Sequence, residues 1–200
     1  MAIRYCGMET KSFWRITAVR ATIMARAANL SAHAEAASVA WVGLKSRRHE
    51  QVGTWLQMGY ANYKKAAIAA LEGYVEGRFD GTQYIGAVKP DTEYKFTIKR
   101  DEDSGNWWFL LDDLPQGFSA HPLGWHSNEF TYVQLYGEEQ HQSELVGSSV
   151  KPCTFKNCQV QVAFGDWRDI NLHADYESTI DDPWNHLEIL AANRFQIYGD

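Results

Sequence analysis

The 200-residue sequence has few cysteines, only one short basic run and no long apolar run. Its three cysteines, Cys6, Cys153 and Cys158, are too few and too unevenly spaced for a disulfide framework, which excludes the small disulfide-stapled domains. Cys153 and Cys158 are compatible either with a small closed loop in an exported protein or with two reduced thiols. No apolar run approaches the roughly 18 residues that a membrane-spanning helix needs. We therefore expect no membrane partner.

A net charge of −6 and a pI near 5.6 argue against nucleic-acid binding, which depends on clustered cationic surface. The one basic run, residues 45–49 (KSRRH), is interpreted as a solvated loop between two strands. The acidic turn at residues 101–106 lacks the carboxylate ladder of a calcium loop. His121 and His126 have no obvious third zinc ligand. The sequence therefore predicts neither a metal nor a cofactor.

The N-terminal residues carry no clear secretion signal, because arginines interrupt the apolar stretch from residue 14 to residue 30 and no clean cleavage site follows. We interpret the chain as one domain spanning residues 1–200, in which residues 1–12 form a loose N-terminal segment. This leaves an intracellular protein or a chain that starts near a processed end as the two alternatives.

Aromatic residues are abundant, at 14% of the chain, with eight Trp and ten Tyr. Nine or ten short alternating segments are separated by turn signals, and no strand–helix–strand rhythm occurs. Such a pattern is typical of all-β proteins, so we predict an antiparallel two-sheet β-sandwich of the jelly-roll (concanavalin-like) type. Residues 186–198 are interpreted as one closing strand, and residues 115–128 as a loop.

The stretch from residue 130 to residue 140 (FTYVQLYGEEQ) has the clearest period of two. Gln134, Tyr136 and Glu138 fall on one face, while Val133 and Leu135 fall on the other. The polar face combines large rings with an amide and a carboxylate, which favours a ligand groove over a plain solvated surface. Residues 51–57 have the same character, with Gln51, Gly53, Trp55 and Gln57 on one face. We hypothesise that both strands face one cleft, with Gln51 and Glu138 as its polar pair.

Several segments resemble the glutamic peptidases of the eqolisin family, fungal β-sandwich proteases that act in acid. AWVGL at residues 40–44 is similar to a tryptophan-containing strand of that family, and QVG at 51–53 is similar to its glutamine–threonine–glycine. VQLYGE at 133–138 resembles a strand with two glutamates four residues apart, although Gln134 stands in the place of the first. Further similar segments are YVEG at 74–77, VKPDTEYKFTI at 88–98 and TFKNC at 154–158.

The resemblance implies a peptide-bond hydrolase in which Gln51 and Glu138 are catalytic. It also favours an extracellular location. In such a pair the carboxylate takes a proton from the attacking water and returns it to the leaving nitrogen, while the amide stabilises the developing oxyanion. The ligand would be a peptide or a polysaccharide held in a concave groove. The substrate-binding candidates are Trp41, Trp55, Tyr74, Glu76, Gln134 and Tyr136.

Each of these residues also has a structural interpretation. A Gln and a Glu on a sheet face are commonly solvated, and Trp41 and Trp55 are compatible with simple packing. The alternative function is therefore a non-catalytic carbohydrate- or peptide-binding, or structural, β-sandwich module that retains the pair as a relic. Aromatic faces stack on sugar rings as readily as they flank peptides.

Overall fold

A computed structural model describes residues 3–10, 15–33, 36–46, 55–65, 68–77, 81–119, 130–141, 143–174 and 176–200. This part of the chain is built from strands, and the period-two segments of the sequence supply most of them. In chain order the strands are β1 Ile3–Thr10, β2 Ile16–Ala25, β3 Ala37–Lys45, β4 Trp55–Lys65, β5 Ile68–Gly77, β6 Gly81–Ala87, β7 Thr92–Arg100, β8 Trp107–Leu111, β9 Leu114–Ser119, β10 Tyr132–Gln140, β11 Cys153–Val162, β12 Trp167–Asp169, β13 Tyr176–Ile180, β14 Asn185–Ala191 and β15 Arg194–Gly199.

The strands form two antiparallel sheets, which confirms the predicted all-β sandwich. The first sheet has the order β13-β1-β10-β3-β4-β5-β6. The second has the order β14-β15-β11-β2-β7-β8-β9, with β12 paired to β11. Six neighbouring pairs, including β1-β10, β10-β3, β11-β2 and β2-β7, join strands that are not consecutive in the chain, so the fold depends on long-range strand pairing as well as on hairpins.

The hydrophobic core lies between the two sheets. In β10, Val133 and Leu135 are fully buried in it, and in β7 Phe96 and Ile98 are fully buried from the other sheet. Because side chains alternate along a strand, the residues between them point away from the core. The outer face of the first sheet therefore receives the polar and aromatic residues of β10, as the sequence pattern predicts.

Three expectations about individual segments require correction. Residues 3–10 of the N-terminal segment are not loose, because β1 pairs with both β10 and β13. The single closing strand at residues 186–198 is a hairpin of β14 and β15, and Ala192 and Asn193 form its turn. The loop expected from residue 115 begins as the edge strand β9, and residues 120–129, including His121 and His126, lie outside the described residues.

All three cysteines are free and buried. Cys153 and Cys158 are therefore two reduced thiols and not a disulfide-closed loop. Burial raises the pKa of Cys6 and of Cys153 to about 12, and raises that of Cys158 as well. None of the described segments forms a helix long and apolar enough to cross a membrane.

Candidate active site

A groove of about 510 Å³ lies on the outer face of the first sheet, over β1, β10, β3 and β4. Its size falls within the range typical of ligand pockets. The face carries alternate residues of each strand, and the antiparallel register arranges these residues in rows that run across the sheet. Three of these rows carry the chemistry of the groove.

The middle row is aromatic. Tyr136 lies opposite Trp41 in the register, with ring centroids 5.3 Å apart, and Tyr5 packs edge-on against Tyr136 at 5.8 Å. The phenol oxygen of Tyr136 lies 3.2 Å from Oγ1 of Thr179 on β13. Together with Val39 and Ala61, these rings form a small apolar cluster that is separate from the main core. The cluster gives the groove a rigid floor.

Glycines in the floor make room for these rings. A Cβ atom at Gly43 would lie 2.5 Å from Cζ3 of Trp41, so the indole occupies the space where a side chain would otherwise stand. A Cβ atom at Gly7 would lie 2.6 Å from Cδ1 of Tyr136. Both glycines are therefore required by a close approach of an aromatic ring. The indole of Trp41 therefore covers Gly43 in the floor of the groove.

On one side of the aromatic row lies the row of Glu138. Its carboxylate is 7% exposed, and Oε1 accepts a hydrogen bond of 2.5 Å from Nε2 of Gln140, two residues along the same strand. In the register Glu138 pairs with Tyr5 and with Val39. The row thus holds one carboxylate among largely apolar neighbours. The amide that donates to this carboxylate belongs to Gln140, which lies in the next row along β10.

On the other side lies a polar row formed by Glu9, Gln134, Gly43 and Gln57, which we call the Glu9 row. Glu9 as a whole is 9% exposed, and its Oε2 accepts a hydrogen bond of 2.6 Å from Nε2 of Gln134. Gln57 lines the groove from β4, two strands beyond Gln134. The row therefore places one buried carboxylate and one amide on one side of Gly43, and the amide of Gln57 on the other side.

The indole of Trp41 is 4% exposed, and its Nε1 makes no hydrogen bond with any described residue. A buried N–H group without a partner is costly, and such groups are uncommon in folded proteins.

The structure brings most of the predicted binding residues to one place. Trp41, Trp55, Gln134, Tyr136 and Glu138 all line the groove. Gln51 lies outside the described residues, so its relation to Glu138 stays a prediction. The side chains of Tyr74 and Glu76 also lie outside them, although their backbones on β5 pair with Gly59 and Gln57.

Several groove residues were not among the sequence candidates, and two of them, Gln57 and Glu9, bring polar groups into the Glu9 row. Gln57 had been placed on the correct face but given no role. Glu9 was overlooked because it belongs to the N-terminal segment that was expected to be loose. A signal was present there, since Tyr5, Gly7 and Glu9 alternate with Cys6 and Met8 with a period of two.

Within the described part of the chain, no three His, Cys, Asp or Glu side chains cluster in a way that would hold a metal ion. The chemistry available to the groove from its described residues is therefore that of carboxylates, amides and aromatic rings, with Lys45 at one end.

Comparison with known proteins defines the class of fold. No family model matches the sequence, and no match was found among curated proteins. Among solved structures, the chain shares its β-sandwich with glutamic peptidases. Two crystal structures of scytalidoglutamic peptidase, each with a transition-state analogue, match with TM-scores of 0.64 and 0.66 at 14% identity, covering 98% of both chains.

A third similar structure is SCP-B, a member of the eqolisin family, in complex with the tripeptide Ala-Ile-His. It matches with a TM-score of 0.63 and 14% identity, again over 98% of each chain. At this level of identity the likeness establishes the fold. The family resemblance expected from the sequence is thus confirmed for the architecture of the whole chain.

Proposed function

We propose that the protein is a hydrolase of the glutamic-peptidase type, which cleaves peptide bonds in the groove with a glutamate, a glutamine amide and an activated water. One observation carries the proposal. Buried carboxylates lie beside side-chain amides in an aromatic groove, on a fold shared with peptidases over nearly the full chain. The likeness to peptidases supports a hydrolase of this general kind.

The chemistry follows from the types of side chain. The carboxylate accepts a proton from water as the water oxygen attacks the peptide carbonyl, and the amide NH₂ donates to the oxygen on which negative charge develops. The carboxylic acid then returns its proton to the nitrogen as the C–N bond breaks. The products are one carboxylic acid and one amine, and the glutamate is regenerated.

The residue assignment proposed from the resemblance is Glu138 for the carboxylate and Gln51 for the amide. Its support in the described residues is the location of Glu138, which is buried in the groove next to the Tyr136–Trp41 pair. Trp41, Trp55, Gln134 and Tyr136 are proposed to contact the peptide. Tyr74 and Glu76 are proposed as further contacts from β5.

Cleavage of a denatured protein at a series of pH values tests this proposal. The wild type is expected to cut at acid pH, and Glu138→Gln and Gln51→Ala are expected to lose the activity. The matched control is Glu188→Gln, because Glu188 is an exposed carboxylate that pairs with Gln196 on the other sheet. Unchanged cleavage in both groove variants would reject the proposed pair.

A second candidate is a non-catalytic module that binds carbohydrate or peptide. The observation that favours it is a stacked pair of tyrosines, Tyr63 and Tyr84, with centroids 4.4 Å apart and an interplanar angle of 16°. Tyr84 is 44% exposed, so its ring offers a surface for stacking. A wild type that cuts no protein substrate, yet binds glycans in a manner abolished by Tyr84→Ala, would favour the module.

A further inference from the structure

We propose that Lys45, with the indole of Trp55 beside it, forms a subsite of the groove that binds a carboxylate of the peptide substrate. The subsite lies at the end of the groove away from Glu138. The inference rests on the proposed function and adds to it the chemical class of the substrate. The reacting groups stay as proposed above.

The first argument is the position of Lys45. The basic run at residues 45–49 was interpreted as a solvated loop, but its first residue is the last residue of β3 and pairs with Tyr132 of β10 and Trp55 of β4. Lys45 lies four residues beyond Trp41, so the two share one face of the sheet. Its side chain is half-buried and lines the groove. The sheet therefore holds this cation where a bound substrate can reach it.

The second argument concerns the partners of the lysines. Lys95, Lys151 and Lys156 each form an ion pair with a carboxylate. Among the described residues, none forms such a pair with Lys45. An ammonium group that is partly withdrawn from water loses solvation, and a hydrogen-bonded carboxylate restores much of that loss. A substrate carboxylate at Lys45 would form the ion pair that the described part of the chain does not supply.

The third argument is the distribution of charge in the groove. The charged residues among its described lining are Glu9, Glu138 and Lys45, so Lys45 is the one cation there. In the register, the backbone of Lys45 is about 12 Å from that of Glu9 and about 20 Å from that of Glu138. Charges at such distances are largely screened by salt, whereas a directly bonded pair is screened much less. A substrate carboxylate bound to Lys45 is therefore attracted more strongly than it is repelled.

The indole of Trp55 strengthens the subsite. Trp55 lies directly opposite Lys45 in the register, and both residues line the groove. The Cβ atoms of such cross-strand neighbours are about 4.5–5.5 Å apart. A large ring beside an ammonium group excludes water from one side, which lowers the effective dielectric constant around an ion pair. The subsite should therefore prefer a carboxylate to a neutral amide of the same shape.

The distance to Glu138 predicts where the carboxylate lies in the substrate. An extended chain covers about 3.3 Å per residue, so a separation of about 20 Å corresponds to about six residues. Because the side chains of Lys45 and Glu138 shorten this span, we expect a carboxylate about four to six residues from the cleaved bond. It can belong to an aspartate or glutamate side chain or to the C-terminus of the peptide.

The first experiment identifies the bonds cut in a denatured protein by mass spectrometry. It compares the wild type with Lys45→Met, Lys45→Arg and Lys45→Glu, and with the control Lys99→Glu, which reverses an exposed charge on β7 of the second sheet. The wild type, Lys45→Arg and the control should cut preferentially at the predicted spacing from a carboxylate. Lys45→Met should lose this preference, and Lys45→Glu should prefer lysine or arginine at the same position.

The second experiment uses synthetic peptides of one cleaved sequence, with aspartate or asparagine at the selected position and with a free or an amidated C-terminus. For the wild type we expect the peptide with the carboxylate to have a kcat/KM about tenfold higher, mainly through KM, since an ion pair remote from the reacting bond contributes equally to ground-state and transition-state binding. For Lys45→Met the ratio should be close to one. Dependence on aspartate assigns the carboxylate to a side chain, and dependence on the free C-terminus assigns it to the chain end; either result supports the subsite.

Two results would overturn the inference. A wild type that cleaves without preference for a carboxylate, or a preference that is equal in Lys45→Met, would reject the subsite while the proposed function stands. If the wild type cleaves nothing, the proposed function fails, and the dissociation constants of fluorescently labelled decapeptides with alternating aspartate or alternating asparagine decide. Binding of the aspartate peptide that is about tenfold tighter in the wild type, but not in Lys45→Met, would support the subsite. Equal affinities for the two peptides would reject it.

Discussion

Gln134 of β10 lies directly opposite Glu9 of β1 and donates a hydrogen bond of 2.6 Å to its carboxylate. The pair joins two strands that are 125 residues apart in sequence. It also places a buried carboxylate in the groove, in the same row of the sheet as Gly43, which the indole of Trp41 covers. The Glu9–Gln134 pair, the packing of Trp41 on Gly43 and the burial of Glu139 each lead to a prediction about stability. A fourth prediction concerns the rate of hydrolysis.

Replacing Gln134 with glutamate should make the stability of the protein strongly pH-dependent. Gln134→Glu removes the amide donor and sets a second carboxylate against Glu9 in a buried site, where two like charges disfavour each other. The free energy of unfolding of the variant, relative to the wild type, should therefore fall as the pH rises through the carboxylate range. Urea unfolding between acid and neutral pH measures this.

The control for that experiment is Gln196→Glu, which sets a second carboxylate opposite the exposed Glu188 on the other sheet. Solvent screens an exposed pair, so we expect a much smaller pH dependence there. Equal pH dependence in the two variants would show that the Glu9–Gln134 pair is not buried in solution.

Replacing Gly43 with alanine should displace the indole of Trp41. The added Cβ would lie 2.5 Å from Cζ3 of Trp41 and 3.2 Å from the carbonyl oxygen of Leu56. Overpacking of this kind costs about 1–3 kcal/mol. We expect Gly43→Ala to lower the free energy of unfolding by that amount and to change the near-UV circular dichroism.

Gly117→Ala is the matched control, because Gly117 also lies in a strand and its added Cβ would meet no atom within 4 Å. It should leave both the near-UV spectrum and the stability close to those of the wild type. A Gly43→Ala protein with the same spectrum and stability as Gly117→Ala would contradict the described position of the indole.

Glu139 should make the protein less stable as the pH rises. Burial raises the pKa of Glu139 above the usual 4.5. The charge of Arg4, whose Nη1 lies 3.5 Å from Oε1, lowers this pKa, but burial has the larger effect. The folded state thus binds the proton more tightly than the unfolded chain. The stability that Glu139 contributes to the free energy of unfolding is fully present below pH 4.5 and is lost as the pH rises through the raised pKa.

The Glu139→Gln variant lacks this titrating group. Its free energy of unfolding, relative to that of the wild type, should therefore increase as the pH rises from 4.5 through the raised pKa of Glu139. Urea unfolding at steps of pH measures the difference, with Glu188→Gln as an exposed control. A difference between Glu139→Gln and the wild type that is constant with pH would contradict the raised pKa.

The sequence predicted the face of β10 because one side of the strand is buried, so its hydrophobic residues must recur every second position. Val133 and Leu135 indicate that face without reference to any other part of the chain. The same reasoning finds Trp55, whereas Trp41 lies in a continuously apolar strand and was proposed from the family resemblance. Local alternation therefore predicts which residues face a groove when the strand is long and its core side is consistently apolar.

The pairing of the strands was not predictable in the same way. Nothing in the alternation of β1 specifies β10 as its neighbour, because register between distant strands depends on the packing of the whole sheet. Glu9 could therefore not be placed beside Gln134. For the same reason the sequence did not show that the amide of Gln57 shares a row with Gln134.

Turns without glycine or proline account for the errors in strand boundaries. The β8–β9 turn consists of Asp112 and Asp113, which both adopt positive φ, at 50° and 67°. Aspartate tolerates this conformation and permits a tight hairpin, but it is a weaker turn signal than Asn-Gly or Asp-Gly. The turn at Ala192 and Asn193 also lacks glycine and proline and gives only a weak turn signal. The sequence therefore predicted a single strand where the structure has the hairpin of β14 and β15.

The hydrolysis rate of the double variant Glu9→Gln/Glu138→Gln tests the central claim, that a buried carboxylate of this groove cleaves peptide bonds. The rate is measured at acid pH on a denatured protein, beside the wild type and Glu188→Gln. We expect the wild type and the control to cleave equally and the double variant to be at least about 100-fold slower. A double variant as fast as the control, or a wild type that releases no fragments at any pH, would contradict the claim.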